Sequence, residues 1–248
     1  MEENKKYRLT TESIFLCFGK KLYRIEALKD FGDIRKGEKG GFVESEDNLS
    51  QEGNCWIADD AMVYDDAKVS ENALVYDNAR VLKRASVFGC ACVYDNASVS
   101  GYAQVYGNVI VYGDAWLYDN TRVCGYAWVS DNARVYGDAN VCDDASVFGS
   151  ACVYDNARVC GDALVRGYAC VCGDAEISNK SDYIVFQNWW SSGRYFTWTR
   201  SNNMWSVGCF YGTGEELIKK AYKDSELSGR EYERIVKYVE EIRKDNGK

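Results

Sequence analysis

Two residue types are missing altogether from this chain of 248 residues: histidine and proline. Without histidine it lacks the side chain whose pKa lies nearest neutrality, the commonest general base and a common metal ligand. Without proline, every turn must be made by Gly, Asp, Asn and Ser. No apolar run reaches membrane-spanning length, and Met1-Glu2-Glu3-Asn4-Lys5 holds no basic-then-apolar leader, so a cytoplasmic protein is expected. Positive charge is not in excess either. The net charge is −8, and residues 55–180 carry all of the imbalance, with 17 acids against 9 bases. Binding to a nucleic-acid backbone is therefore disfavoured. Cysteine, by contrast, is plentiful at eleven residues. The odd count, the missing leader and the regular placement read as reduced thiols rather than a disulfide framework.

The dominant feature is a repeat. From Cys55 to Lys180 the chain keeps a six-residue period through 21 hexads without an insertion or deletion. A small residue opens each hexad, from Cys55, Ala61 and Ala67 to Ala175, with Val109 and Thr121 as departures. Two positions later stands a branched aliphatic, from Ile57 and Val63 to Leu117, Val165 and Ile177. In Ala73-Leu74-Val75-Tyr76-Asp77-Asn78, Ala73 and Val75 face one side of a short strand, and Leu74 and Tyr76 the other. Asp77-Asn78 then makes a corner, as do Asp95-Asn96 and Gly113-Asp114. Three such sides close a triangle with the Ala and Val rows inside. The expected fold is mainly β: a three-sided β-helix prism of about seven coils of 18 residues, on the order of 34 Å long. Eight net charges over that length is far sparser than duplex DNA, which argues against DNA mimicry.

The three outer faces differ. The first reads Trp56, Leu74, Cys92, Ile110, Trp128, Ser146, Leu164, beside Tyr76, Tyr94, Tyr112, Ser130 and Phe148. Trp56, Leu74, Tyr76, Tyr94, Ile110, Tyr112, Trp128 and Phe148 are the candidate binding residues, because a large apolar strip is seldom left in water. The second face is mixed, and the third, with Lys68, Gln104, Arg122 and Arg158, is an ordinary solvated surface. Cys124, Cys142 and Cys160 form an outward column on the third face, and Cys152, Cys170 and Cys172 cluster on the second. With no histidine and no CxxC knuckle, they read as small β-surface residues. No metal or cofactor is expected.

The flanks differ in composition from the repeat. Residues 1–54 read as a β-rich N-terminal cap, with strands at Tyr7–Thr10, Ile14–Phe18 and Lys21–Ile25. Residues 181–248 read as a small α+β C-terminal domain, a β-hairpin and two helices. Strands are expected over Asp182–Asn188, Arg194–Arg200 and Met204–Phe210. Capping boxes at Thr213–Glu216 and Ser228–Glu231 open the helices. Trp189, Trp190, Trp198 and Trp205 are a second set of candidate binding residues, with core packing or docking as the plainer reading.

The hexads resemble the hexapeptide-repeat, left-handed β-helix family; the handedness comes from that resemblance. Gly40-Gly41-Phe42-Val43-Glu44-Ser45-Glu46-Asp47-Asn48-Leu49-Ser50, Cys55-Trp56-Ile57 and Gly208-Cys209-Phe210-Tyr211-Gly212-Thr213 are similar to a group of phage- and prophage-borne members. Those members are labelled acyltransferase-like on fold alone. The resemblance implies a phage setting, hence a host-cell cytoplasm, and supplies no catalytic residue. Three functions stay open. The first is a non-catalytic binding module for a host protein or small molecule, for instance an inhibitor of host anti-phage defence. The second is an acyl-CoA-dependent acyltransferase, disfavoured by the missing histidine and the unbroken repeat. The third is a self-associating scaffold. A homo-oligomer is expected, and no membrane partner.

Overall fold

The computed structural model of the protein describes residues 5–245; Met1–Asn4, read above for a leader, lie outside them. Its centre is a three-sided β-solenoid. Twenty-one two-residue strands run from β4 (Trp56–Ile57) to β24 (Glu176–Ile177). Strands 18 residues apart pair in parallel, as in Trp56↔Leu74, Met62↔Arg80 and Lys68↔Ser86. Two seven-stranded sheets and one of ten strands make the three walls. Backbone amides bond from coil to coil, Ala58 N to Val75 O at 2.8 Å and Tyr76 N to Val93 O at 3.0 Å.

Alternation along each short strand turns the Ala and Val rows inward. Those rows are at most 1 % exposed from Cys55 to Ile177, so the prism is packed rather than hollow. Thr121 takes an alanine position and stays satisfied by donating its hydroxyl to Tyr118 O at 2.9 Å.

The corners show why acids recur there. Asp59, Asp77, Asp95, Asp131 and Asp143 all have φ near +55°. Asp and Gly are the types that tolerate this left-handed backbone. Each carboxylate then accepts the amide of the equivalent corner one coil on: Asp95 holds Gly113 N at 3.0 Å, Asp131 holds Gly149 N at 2.9 Å and Asp143 holds Gly161 N at 3.0 Å. Much of the negative charge on the solenoid is thus structural.

The N-terminal segment does more than cover an end. β1 (Tyr7–Phe15), β2 (Lys21–Ala27) and β3 (Lys39–Val43) are antiparallel, and β3 joins the second wall in parallel through Phe42↔Met62 and Val43↔Val63. Leu49 bridges Val69 on the third wall. The prism therefore starts before the hexads, and it makes about eight turns. Gly40 is required there, since a Cβ would collide with Trp56 and Ile57 O. The lid is sealed by Tyr7, Leu22 and Ile25, all fully buried. Lys6 is buried among carbonyls, with its ammonium on Cys55 O at 3.0 Å and over the Phe31 ring.

At the other end β25 (Tyr183–Gln187), β26 (Tyr195–Thr199), β27 (Met204–Val207) and β28 (Phe210–Gly212) form an antiparallel sheet, followed by α1 (Gly214–Asp224) and α2 (Glu226–Asp245). The expected Met204–Phe210 strand is broken at Gly208, φ +58°, which creates the fourth strand. The capping box at Thr213 and Glu216 is present. The one at Ser228 is not a helix start, because Ser228 lies inside α2 and donates its N–H to Ser225 Oγ at 3.1 Å. This sheet covers the bare edge of the last coil. Thr197 Oγ1 accepts from Cys170 N at 2.8 Å, and Ser201 Oγ accepts from Glu176 N at 2.7 Å.

Candidate functional site

The middle of the first face stays uncovered. Leu74 is 38 % and Trp128 51 % exposed, with Cys92 and Ile110 half-buried between them. Alongside runs a ladder of rings, Tyr76 on Tyr94 at 4.8 Å and Tyr94 on Tyr112 at 5.2 Å, each pair 7° from parallel. Desolvation, with the neighbouring Cys92, Tyr94, Asp77 and Asp95, pushes Tyr76 up to about 12. Burial likewise raises Tyr94, and the ladder is rigid, since its rings are stacked in register. It breaks at buried Ser130, beyond which Phe148 is half-buried.

Trp56 does not belong to this exposed strip. Strand parity points it outward, but Tyr7 and Phe31 fold over it edge-on at 6.4 and 5.4 Å and leave it 1 % exposed. The C-terminal tryptophans also separate. Trp198 and Trp205 are core residues, Trp198 donating Nε1–H to Asn203 Oδ1 at 3.0 Å, so neither is open to a ligand. Trp190 packs edge-on against Tyr232 at 5.0 Å, and only Trp189, 75 % exposed, meets solvent fully. Beside them a cavity of about 410 Å³ opens between sheet and helices, with Asn188, Arg194, Lys220, Asp224 and Tyr232 in its wall.

Two thiol clusters emerge. Cys142 and Cys160 form a disulfide between successive coils, with Cα atoms 4.6 Å apart. The expectation that every thiol is reduced is corrected at this pair. In-register stacking brings equal positions within disulfide reach. Cys142, Asp143 and Cys160 gather donor atoms within 4.8 Å, but the two sulfurs are bonded to each other rather than offered as thiolates. On the second wall Cys152 pairs in register with Cys170. Hydrogen bonding with Cys170 lowers the Cys152 thiol; burial opposes this and the Arg134 guanidinium assists it. The same bond, with burial, pushes Cys170 up. Sequence reasoning grouped these cysteines but had no signal for the asymmetry between them.

No helix of the described residues is long and apolar enough to cross a membrane. Fold and surface together define the class: a β-solenoid repeat protein, filled inside, closed at both ends and presenting distinct outer walls.

Comparison with known proteins agrees with that class. Residues 103–119, about one coil, match the YdcK beta solenoid repeat. The chain is also similar to the uncharacterized acetyltransferase YdcK of Escherichia coli (strain K12), 39 % identical over 74 residues. That match covers 27 % of this chain and 23 % of YdcK, so it spans less than a quarter of the relative's length.

Proposed function

We propose that this protein works by binding through its outer walls, without catalysis, and that copies of it associate through the first face. The observation that carries this reading is the strip from Leu74 to Trp128 with its tyrosine ladder, apolar, rigid and uncovered at the centre of the rod. A flat wall with an 18-residue repeat is complementary to a second copy of itself, because a two-fold axis lays like columns against like. An apolar strip on the order of a few hundred Å² is stabilised by such burial. The chain's lack of histidine and its filled interior support a surface role. The resemblance to phage-borne proteins makes a component of host anti-phage defence a candidate target for the remaining surface.

One observation favours a second reading, acyl transfer: the similarity to a protein named an acetyltransferase. Turnover of acetyl-CoA by the purified protein would establish it. Sedimentation velocity tests the first reading. The native chain is expected to sediment as an oligomer and Trp128→Glu as a monomer with an unchanged far-ultraviolet circular dichroism spectrum. A native monomer at all concentrations would overturn it.

A further inference from the structure

On the second wall two ladders break at the same coil. Tyr118, Tyr136 and Tyr154 stack at 4.9 Å, 2° from parallel. The next position in that column is Ser100, with Leu82 beyond it. Ser98, between Arg80 and Trp116 in register, is small as well. The two serines leave a notch of about 230 Å³. Its floor is the Tyr118 ring, its far wall Leu82 and its side Trp116, which is 52 % exposed with the Arg134 guanidinium 5.5 Å over its ring. From Leu82 to Tyr118 is two coil rises, about 10 Å, which admits one flat ring between them.

The corner ladder breaks here too. In this column Asp65 accepts from Lys83 N, Asp119 from Gly137 N and Asp155 from Gly173 N. Lys83 stands where an acid or glycine is the rule. It holds φ +61° without the amide-capping carboxylate that accompanies that conformation at the other non-glycine corners of the solenoid. It lines the rim of the notch together with Asp119, whose carboxylate is already engaged by Gly137 N at 3.4 Å, and strained backbone of this kind concentrates where it serves a site.

We infer that the notch formed by Ser98, Ser100, Trp116 and Tyr118 binds a planar aromatic ring carrying an anionic group. The ring lies on Tyr118 in the place a tyrosine at position 100 would take, and the anion faces Lys83. Stacking on an aromatic face tolerates many ring types. The notch is smaller than the usual range for cofactor sites, which suits one ring system rather than a whole acyl-CoA. A phosphate-bearing nucleobase and an aromatic carboxylate share this chemistry. The site does not depend on the first face, so failure of self-association leaves it standing.

The test is calorimetric titration of the full chain with adenosine monophosphate against adenosine, and with indole-3-carboxylate against indole-3-carboxamide. At least one anion is expected to saturate with Kd below about 1 mM, and to bind about tenfold tighter than its neutral counterpart. Whichever anion binds names the source. Ser100→Tyr fills the notch and extends the ring ladder; it is expected to raise Tm and weaken binding at least tenfold. Lys83→Gly relieves the backbone and is expected to erase the preference for the anion while ring binding persists. No saturation by any probe, or unchanged affinity in a folded Ser100→Tyr, overturns the inference.

Discussion

Replacing Asp95 by Ala, Asn or Gly separates the two tasks assigned to a corner acid. Asp95 has φ +56°, and its Oδ2 accepts Gly113 N at 3.0 Å. A hydrogen bond to a charged group contributes about 1.5–3 kcal/mol when shielded; at this half-exposed corner about 1 kcal/mol is the fitting figure. Holding a non-glycine residue in the left-handed region costs about 1 kcal/mol, and Asp tolerates it better than Ala. Asp95→Ala loses the bond and gains strain, a destabilisation of about 1.5–2 kcal/mol. Asp95→Gly loses the bond but relieves the backbone, so the two effects nearly cancel. Asp95→Asn keeps an acceptor and the tolerance, and costs about 0.5 kcal/mol. At 2–4 °C per kcal/mol, the alanine variant melts about 5 °C lower and the others within about 2 °C of the native chain. Repeat arrays unfold piecemeal, so hydrogen exchange at the Gly113 amide is the sharper assay. That amide should lose protection in the Ala and Gly variants and keep it in Asn. If Asp95→Gly melts as low as Asp95→Ala, or Asp95→Asn exposes the Gly113 amide, the structural reading of the corner acids is wrong.

Other predictions concern the thiols and the lid. Alkylation of Cys152 by iodoacetamide, followed by mass spectrometry, should reach its plateau at a lower pH than that of Cys170, since hydrogen bonding with Cys170 lowers the Cys152 thiol. Cys170 should lag at every pH, and equal rates for the two would refute the asymmetry. The Cys142–Cys160 link closes an 18-residue separation, worth about 3 kcal/mol by chain entropy. Reductant should lower Tm in the native chain and not in Cys142→Ser. Lys20 ties the lid to Glu44 and Asp65 of the first coils. Its own pKa is raised by hydrogen bonds to Asp65 and Glu44. Burial works to raise Asp65, yet the Lys20 bond and the Lys83 amide leave it net lowered. The Asp65 contribution is complete above the ordinary carboxylate pKa and fades as pH falls below it. The Lys20 contribution is complete below the ordinary lysine pKa and fades above it. Lid exchange should therefore accelerate at both extremes, and Lys20→Met should flatten the profile.

The solenoid could be read from the sequence because its determinants are local and repeated. Ala and Val two apart fix the inward side of every strand, and Asp or Gly fixes every corner. What escaped reading depends on contacts between distant segments. Trp56 has the parity of an outward residue, and only the return of Tyr7 and Phe31 buries it. Phe42-Val43 and Leu49 extend the walls, but they stand 20 residues before Met62-Val63 and Leu49 20 before Val69, off the 18-residue lattice. The fourth C-terminal strand hides behind Gly208, whose positive φ turns the chain inside an otherwise continuous β-pattern. The break at Ser100 was visible in the column, but its pairing with Lys83 needed the corner hydrogen bonds. The covalent state of Cys142 and Cys160 followed from register, whereas the thiols themselves were plain in the sequence.

Hydroxyl-radical footprinting of the native protein, at high and at low protein concentration, addresses the first face most directly. Leu74, Tyr94, Ile110 and Trp128 should be labelled more slowly in the concentrated sample, while Arg122 and Arg158 on the third wall react equally in both. Equal labelling of the first-face residues at both concentrations would contradict the account.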